Sequence, residues 1–285
     1  IKFISPKIII TLNDRNHQFY MLKNSFKNIY FISIQNGVHF PIFFKTKEFI
    51  NSKNLKCDYV FVFNKHYIKK YKKFIKSKYD TLGKFTNNIL IFKKKLIYNN
   101  FLLISKFDNK RDIDFNKSYE KFLISLNNYF HSSGKKLHIL LRSKNTLKQK
   151  EEIEFYKKYF QFNYVFQKNS NWKKSYEIID KFENIIFMHS ALGYEAISRK
   201  KKVAIFSPKK IKNLDYWFGW PATYQKRYNF FTVKNFNFIE TKRVLDNVSN
   251  CSQKSWEKKH YIAIKDQLYL NKKNKKLKKV ILNLL

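Results

Sequence analysis

FMHSALGYEAISRKKKVAIFSP, Phe187 to Pro208, decides how this chain is built. Two apolar runs flank a stretch of small and polar residues that holds Ser190, Gly193 and Glu195. A short unbroken apolar run suits a strand buried on both faces of a parallel sheet, and parallel neighbours need a crossover between them. LGYEAISRK supplies a helix-length crossover, so the stretch reads strand, helix, strand. In open sheets of this kind ligands sit beyond the carboxyl ends of strands, which gives the residues after NIIFMH a functional weight of their own.

The alternation extends in both directions. KIIITL (Lys7–Leu12), NIYFISIQNG (Asn28–Gly37) and CDYVFVFN (Cys57–Asn64) read as strands. Helical spacing puts Phe19, Leu22 and Phe26 on one face, and Tyr67, Tyr71, Phe74 and Ile75 on another. KYDTLGKFTNN reads as a short strand breaking at Gly83, and the stretch between Pro41 and Lys56 as a loop. A second series begins at NNFLLISKF (Asn99–Phe107). It continues through a helix bearing Tyr119, Phe122, Leu123, Leu126, Tyr129 and Phe130, the strand LHILLRS (Leu137–Ser143), the acidic helix EEIEFYKKYF and the strand FNYVFQ. The expected fold class is α/β, with two Rossmann-like domains facing a cleft. Residues 1–95 form the first domain, 96–262 the second and 263–285 a C-terminal helix. Because the chain opens on Ile1 and enters an apolar run almost at once, the first domain is expected to be incomplete. The final helix is Lys-rich and amphipathic, with Leu268, Leu277, Val280, Ile281, Leu284 and Leu285 expected to dock on a domain.

Composition bounds the function classes. A chain of 285 residues, 44% hydrophobic and 19% aromatic, can bury a substantial core. No apolar run reaches the roughly 18 residues of a membrane helix, so a cytoplasmic protein is expected. Cys57 and Cys251 lack metal or disulfide spacing and read as free thiols. His39 and His189 are isolated in sequence and read as structural, so neither a metal nor a cofactor is expected. The net charge of +39 comes mostly from lysine in a chain that also favours residues with A- and T-rich codons. Nucleic-acid readers prefer arginine, which is scarce here, so nucleic acid ranks low among partners. Peripheral contact with the anionic inner membrane face fits the charge without being required by it.

The strand ends supply the candidate residues. Ser190, Ala191 and Leu192 precede a helix opening near Gly193, with Glu195 read in its first turn. Small residues admit an anion to backbone N–H groups, and a helix N-terminus adds partial positive charge, which together suit a diphosphate. Ser190 would donate to a phosphate oxygen, and Glu195 would accept from ribose hydroxyls. An N-cap serine and a first-turn acid explain the same residues without a ligand. Arg142 reads either as a phosphate-binding guanidinium in this cleft or as a surface partner of the acids near Glu151. Asp14 is a candidate general base, and Gln35, Asn36 and Gly37 a candidate acceptor loop; turn chemistry accounts for these too. WFGWPATYQ (Trp217–Gln225) offers aromatics for stacking on a sugar or base, or for a packed corner.

HSALGYEAISRKKKVAIFSP resembles the STLGYEALSRGKKVA stretch of bacterial surface carbohydrate biosynthesis proteins, a group related to GT-B glycosyltransferases. The resemblance continues through CDYVFVFNKHYIKKY, TLGKFTNN, IQNGVHF, YWFGWPA and KRVLDNVSNCSQKSW, covering most of the chain in order. Ala191 and Lys200 depart from the family's Thr and Gly. The resemblance implies a nucleotide-sugar donor held mainly by the C-terminal domain, with Ser190, Gly193 and Glu195 in the donor site. It also implies sugar transfer to a surface glycan or lipid-linked acceptor. Alternatives are a UDP-sugar 2-epimerase, a polyol-phosphate transferase, and a non-enzymatic basic nucleic-acid-binding protein resting on charge alone.

Overall fold

The computed structural model describes residues 5–37, 39, 54–89, 92, 96–107, 113–188, 190–207, 229–265 and 268–285. His189, Pro208, Trp217–Gln225 and most of the loop expected between Pro41 and Lys56 lie outside the described residues. The chain forms two compact units, Ile1–Leu90 with Lys265–Leu285, and Ile91–Ile264.

The first unit carries a four-stranded parallel sheet. Its elements are β1 (Ile8–Thr11), α1 (His17–Leu22), β2 (Tyr30–Ile34), β3 (Leu55–Val62), α2 (Lys65–Tyr71), β4 (Ile75–Thr81) and α3 (Phe85–Ile89), with strand order β1-β2-β3-β4. Asn16 and Asn64 start α1 and α2 by accepting hydrogen bonds from N–H groups of the first turn. The face expected to join Phe19, Leu22 and Phe26 does not form. α1 ends at Leu22, the chain tightens into a 3-10 turn at Lys23–Ser25, and only Phe19 of the three is buried.

The second unit holds a six-stranded parallel sheet. Its elements are β5 (Ile97–Ile104), α4 (Ile113–Ser133), β6 (Leu137–Leu140), α5 (Thr146–Lys157), β7 (Tyr164–Gln167), α6 (Trp172–Lys181), β8 (Phe182–Phe187), α7 (Ala191–Ser198), β9 (Lys202–Phe206), β10 (Thr232–Val233) and α8 (Phe238–Asn250). The order is β10-β9-β8-β5-β6-β7. In the unit's own numbering this is 3-2-1-4-5-6 read from β7, the doubly wound order of dinucleotide-binding sheets. Strands run outward from β5 in one direction through β6 and β7, and the chain then restarts at β8 on the other side. Phe101–Ile104, Leu137, Ile139, Ile185–Phe187 and Val203–Phe206 are almost wholly buried, as unbroken apolar strands require. α5 begins at Thr146, earlier than the acidic run suggests, because Asn145 caps it by accepting from the N–H groups of Leu147 and Lys148.

The chain then returns to the first unit as α9 (Lys275–Leu284). Leu277 joins Ile32, Ile34, Phe61 and Leu82 in a core cluster flanked by Val280, Ile281 and Leu284. Burying a leucine in this way contributes about 2 kcal/mol. Leu285, expected to dock, is exposed instead. The LGKFTNN segment acts as the clamp for this return. Asn88 donates to Leu82 O at 2.8 Å and to Asn274 Oδ1 at 2.7 Å, while its own Oδ1 accepts from Asn271 N at 2.9 Å.

Gly83 has φ of +77°, and a Cβ there would stand 1.8 Å from the carbonyl oxygen of Tyr269. Gly134 has φ of +63° with nothing within 4 Å of such a Cβ. Gly134→Ala is therefore expected to cost about 1 kcal/mol from backbone strain alone. Gly83→Ala adds a backbone collision and is expected to cost about 3 kcal/mol or more in urea unfolding. Equal losses would mean that the close approach of Tyr269 does not constrain the clamp.

Candidate functional site

The second unit opens a cleft of about 210 Å³ lined by Ser105, Arg142, Asn169, Tyr176, Ser190 and Glu195, with Lys106 and Lys144 alongside. Its walls are the carboxyl ends of β5, β6 and β8. The strand order reverses between the parallel neighbours β5 and β8, so this is the switch point at which an open α/β sheet leaves room for a ligand. Ser190, Leu192, Glu195 and Arg142, four of the residues expected in the donor site, line this one cleft. Ala191 and Gly193 stand on the same helix, α7.

Ser190 occupies the N-cap position of α7, but its hydroxyl makes no capping hydrogen bond. The N–H groups of Ala191 and Leu192 in the first turn point out of the helix end, where the partial positive charge is concentrated. Glu195 is not in the first turn as expected, because α7 starts at Ala191 and places it one turn later. There it is buried, and the Tyr176 hydroxyl donates to its Oε2. A Cβ on Gly193 would fall 2.3 Å from the Phe187 ring, so glycine lets α7 lie close to the end of β8.

The loops on the opposite wall hang on Glu152, an acid of α5 that is fully buried. One oxygen accepts from Arg142 N at 2.8 Å and from the Ser105 hydroxyl, and the other accepts from Ser143 N at 3.1 Å. Tyr156 donates to Ser105 Oγ at 2.8 Å, and Tyr119 is 2.6 Å from Tyr156. The Arg142 side chain is exposed and donates from Nη1 to Phe107 O at 3.0 Å, across the same pair of loops. Gln149 donates to both Ser143 O and Asn169 O at 2.8 Å. Asn169 is 4% exposed, and its Oδ1 has no hydrogen-bond partner. Glu152 and Asn169 were not among the sequence candidates. Their roles depend on burial, and a polar residue in an acidic helix or a short loop does not advertise that.

The first unit gathers a different cluster. Asp14 follows β1, yet it is 2% exposed rather than open to an acceptor. Its carboxylate accepts from His39 Nε2, the Tyr71 hydroxyl and Asn36 N, the last at 3.2 Å. Burial pushes its pKa up, but the bonds from His39, Tyr71 and Asn36 and the charge on His39 outweigh this and leave it lowered. Such a carboxylate is a weaker base than an ordinary aspartate. His39, read from sequence as structural, is bonded at both ring nitrogens, with Arg15 Nη2 3.3 Å from Nδ1. Gln35 is buried and braces its own turn, donating to Gly37 O at 2.8 Å and accepting from Phe63 N at 2.9 Å. Asn36 is exposed, and its oxygens accept from Lys84.

Among the described residues no group of His, Cys, Asp and Glu is arranged to hold a metal, and no helix is long and apolar enough to cross a membrane.

The sheet orders and the switch-point cleft define a mixed α/β protein of two Rossmann-like units. Residues 32–284 match the model of a family described as "putative O-antigen biosynthesis protein", and the chain belongs to that family. It is accordingly a protein of surface carbohydrate biosynthesis. A search of the curated proteins gave no match. Several solved structures share the fold. UDP-GlcNAc 2-epimerase from Methanocaldococcus jannaschii superposes with a TM-score of 0.59 at 10% identity, over 98% of this chain and 77% of that one. S. aureus MnaA in its UDP co-structure gives 0.56 at 12% identity, over 100% and 78%. The pneumococcal O-GlcNAc transferase GtfA, in complex with UDP and GlcNAc, gives 0.57 at 10% identity, over 99% of this chain and 58% of the transferase.

Burial holds the Glu152 carboxyl above the usual glutamate range, even though Arg142 N, Ser105 and Ser143 N favour its charged form. The folded state therefore binds this proton more readily than the unfolded chain does, so stability rises as pH falls toward the unfolded value near 4.5. Glu152→Gln removes that titration. The stability difference between the parent and the variant is expected to be larger at pH 5 than at pH 7.5 in denaturant unfolding. A difference that shrinks on acidification would contradict the sign.

Proposed function

We propose that this protein transfers a sugar from a nucleotide-activated donor to a surface-glycan acceptor, with the donor diphosphate in the switch-point cleft of the second unit. The observation that carries this reading is the uncapped N-terminus of α7, where Ser190 has its hydroxyl unspent, facing the cleft that Arg142, Lys106 and Lys144 also line. As the bond to the sugar breaks, the leaving diphosphate gathers negative charge. The Ala191 and Leu192 N–H groups, the Ser190 hydroxyl and the Arg142 guanidinium bind that charge more strongly in the transition state than before it. Glu195, fixed by Tyr176, accepts from ribose hydroxyls. The acceptor lies by the turn of Gln35, Asn36 and Gly37, where Gln35 holds the shape and Asn36 is the exposed member. Asp14 is buried and bonded by His39, Tyr71 and Asn36 N, so in this reading it holds the Asn36 turn in position beside the acceptor. Structures of similar fold bind UDP, which supports a uridine nucleotide as the first donor to try.

Thermal unfolding with a panel of nucleotides and nucleotide sugars at about 150 mM salt tests the reading. A true donor at a hundredfold excess over Kd is expected to add about 2.7 kcal/mol, seen as a rise in Tm of several degrees. Ser190→Ala and Arg142→Gln are expected to weaken it by about tenfold each. Unchanged affinity in both variants would remove the donor site from this cleft. The epimerases among the similar folds supply the second reading. Incubation with UDP-GlcNAc and no acceptor separates the two, since only an epimerase then turns its substrate over.

A further inference from the structure

α9 has two faces of different chemistry. Leu277, Val280, Ile281 and Leu284 pack on the core of the first unit. Lys275, Lys278, Lys279 and Leu282 recur at helical spacing on the outward face, and all four are exposed. Leu282 is 72% exposed in the midst of those lysines, and Leu285 beside it is 67% exposed. Lys272 and Lys273 extend the patch at the preceding turn. Residues 272–285 hold six lysines and no acid, against 59 basic and 20 acidic residues in the whole chain. The local excess of six is therefore about three times what the chain's net charge of +39 over 285 residues would place there. Lys276 is the member already engaged, 2.7 Å from Asp80.

We propose that the outward face of α9 is a docking surface for an anionic lipid membrane. Lysine ammonium groups meet the headgroups, and Leu282 and Leu285 enter the boundary between headgroup and acyl chain. A helix held by one apolar face, with lysines and isolated leucines on the other, lies in the plane of such a surface rather than across it. The exposed leucines decide between anionic partners. A nucleic acid would satisfy the lysines and leave both leucines in water, and the patch contains no arginine for bidentate phosphate or base contacts. The flat arrangement also leaves the core contacts of α9 intact, so docking requires no unfolding of the first unit.

Co-sedimentation of the whole chain with vesicles tests this directly. Vesicles of phosphatidylcholine with about 30% phosphatidylglycerol are expected to bind it at physiological salt, and vesicles of phosphatidylcholine alone to leave it in solution. Replacing Lys275, Lys278 and Lys279 with Gln is expected to weaken binding by about fivefold for each lysine removed. Leu282→Ser with Leu285→Ser leaves the charge unchanged and is expected to weaken vesicle binding about tenfold without altering RNA binding at the same salt. All of these side chains are exposed, and circular dichroism checks that the variants stay folded. Parent-like vesicle binding by the leucine variant would overturn the proposal, since the contact would then be diffuse electrostatics. Binding of RNA in preference to anionic vesicles, lost with the lysines, would overturn it in favour of a nucleic-acid surface.

Discussion

A single buried carboxylate holds the cleft of the second unit in shape. Glu152 accepts the backbone N–H groups of Arg142 and Ser143 and the hydroxyl of Ser105, which ties the ends of β5 and β6 to α5. An unpaired charge at that depth would be prohibitive, and three donors make it tolerable. The arrangement fixes the loop that carries Arg142 while leaving the guanidinium exposed at the rim. Removing the carboxylate would leave two backbone N–H groups and a serine hydroxyl without their acceptor. The opposite wall has the inverse logic, because α7 begins without a side-chain cap and its donors stay available for something other than protein.

Much of this was legible in the sequence, for identifiable reasons. The second unit's strands are unbroken apolar runs, and burial on both faces demands that pattern, so the parallel sheet and its crossovers follow from it. Strand ends then mark Ser190, Glu195 and Arg142, and the structure brings these together in one cleft. What escaped was anything decided by distant partners. Asp14 reads as a candidate base because it follows a strand, but His39 and Tyr71 come from residues 25 and 57 positions away and enclose it. His39 reads as a structural histidine, but the partner it braces is equally distant in sequence. Glu152 is one of three glutamates in a short run, and only its place on α5 sends it inward.

The lysine excess also resolves into parts. Most of the 59 basic residues have no evident single purpose, consistent with a solvated surface in a chain biased toward lysine. Individual lysines are nonetheless put to structural use. Lys202 is buried, bonds the carbonyl of Cys251 at 2.8 Å and pairs with Glu183 at 3.3 Å. Lys23 bonds Ile29 O at 2.7 Å and pairs with Asp58 at 3.0 Å. The outward face of α9 differs from both cases, since its lysines surround exposed leucines and include no acid of their own helix.

Hydrogen exchange with and without UDP, read by mass spectrometry, tests the central claim most directly because it reports where a nucleotide sits. The account requires added protection in residues 190–195 and 142–144, with little change across α9. Protection confined to the first unit, or none at saturating nucleotide, would contradict it.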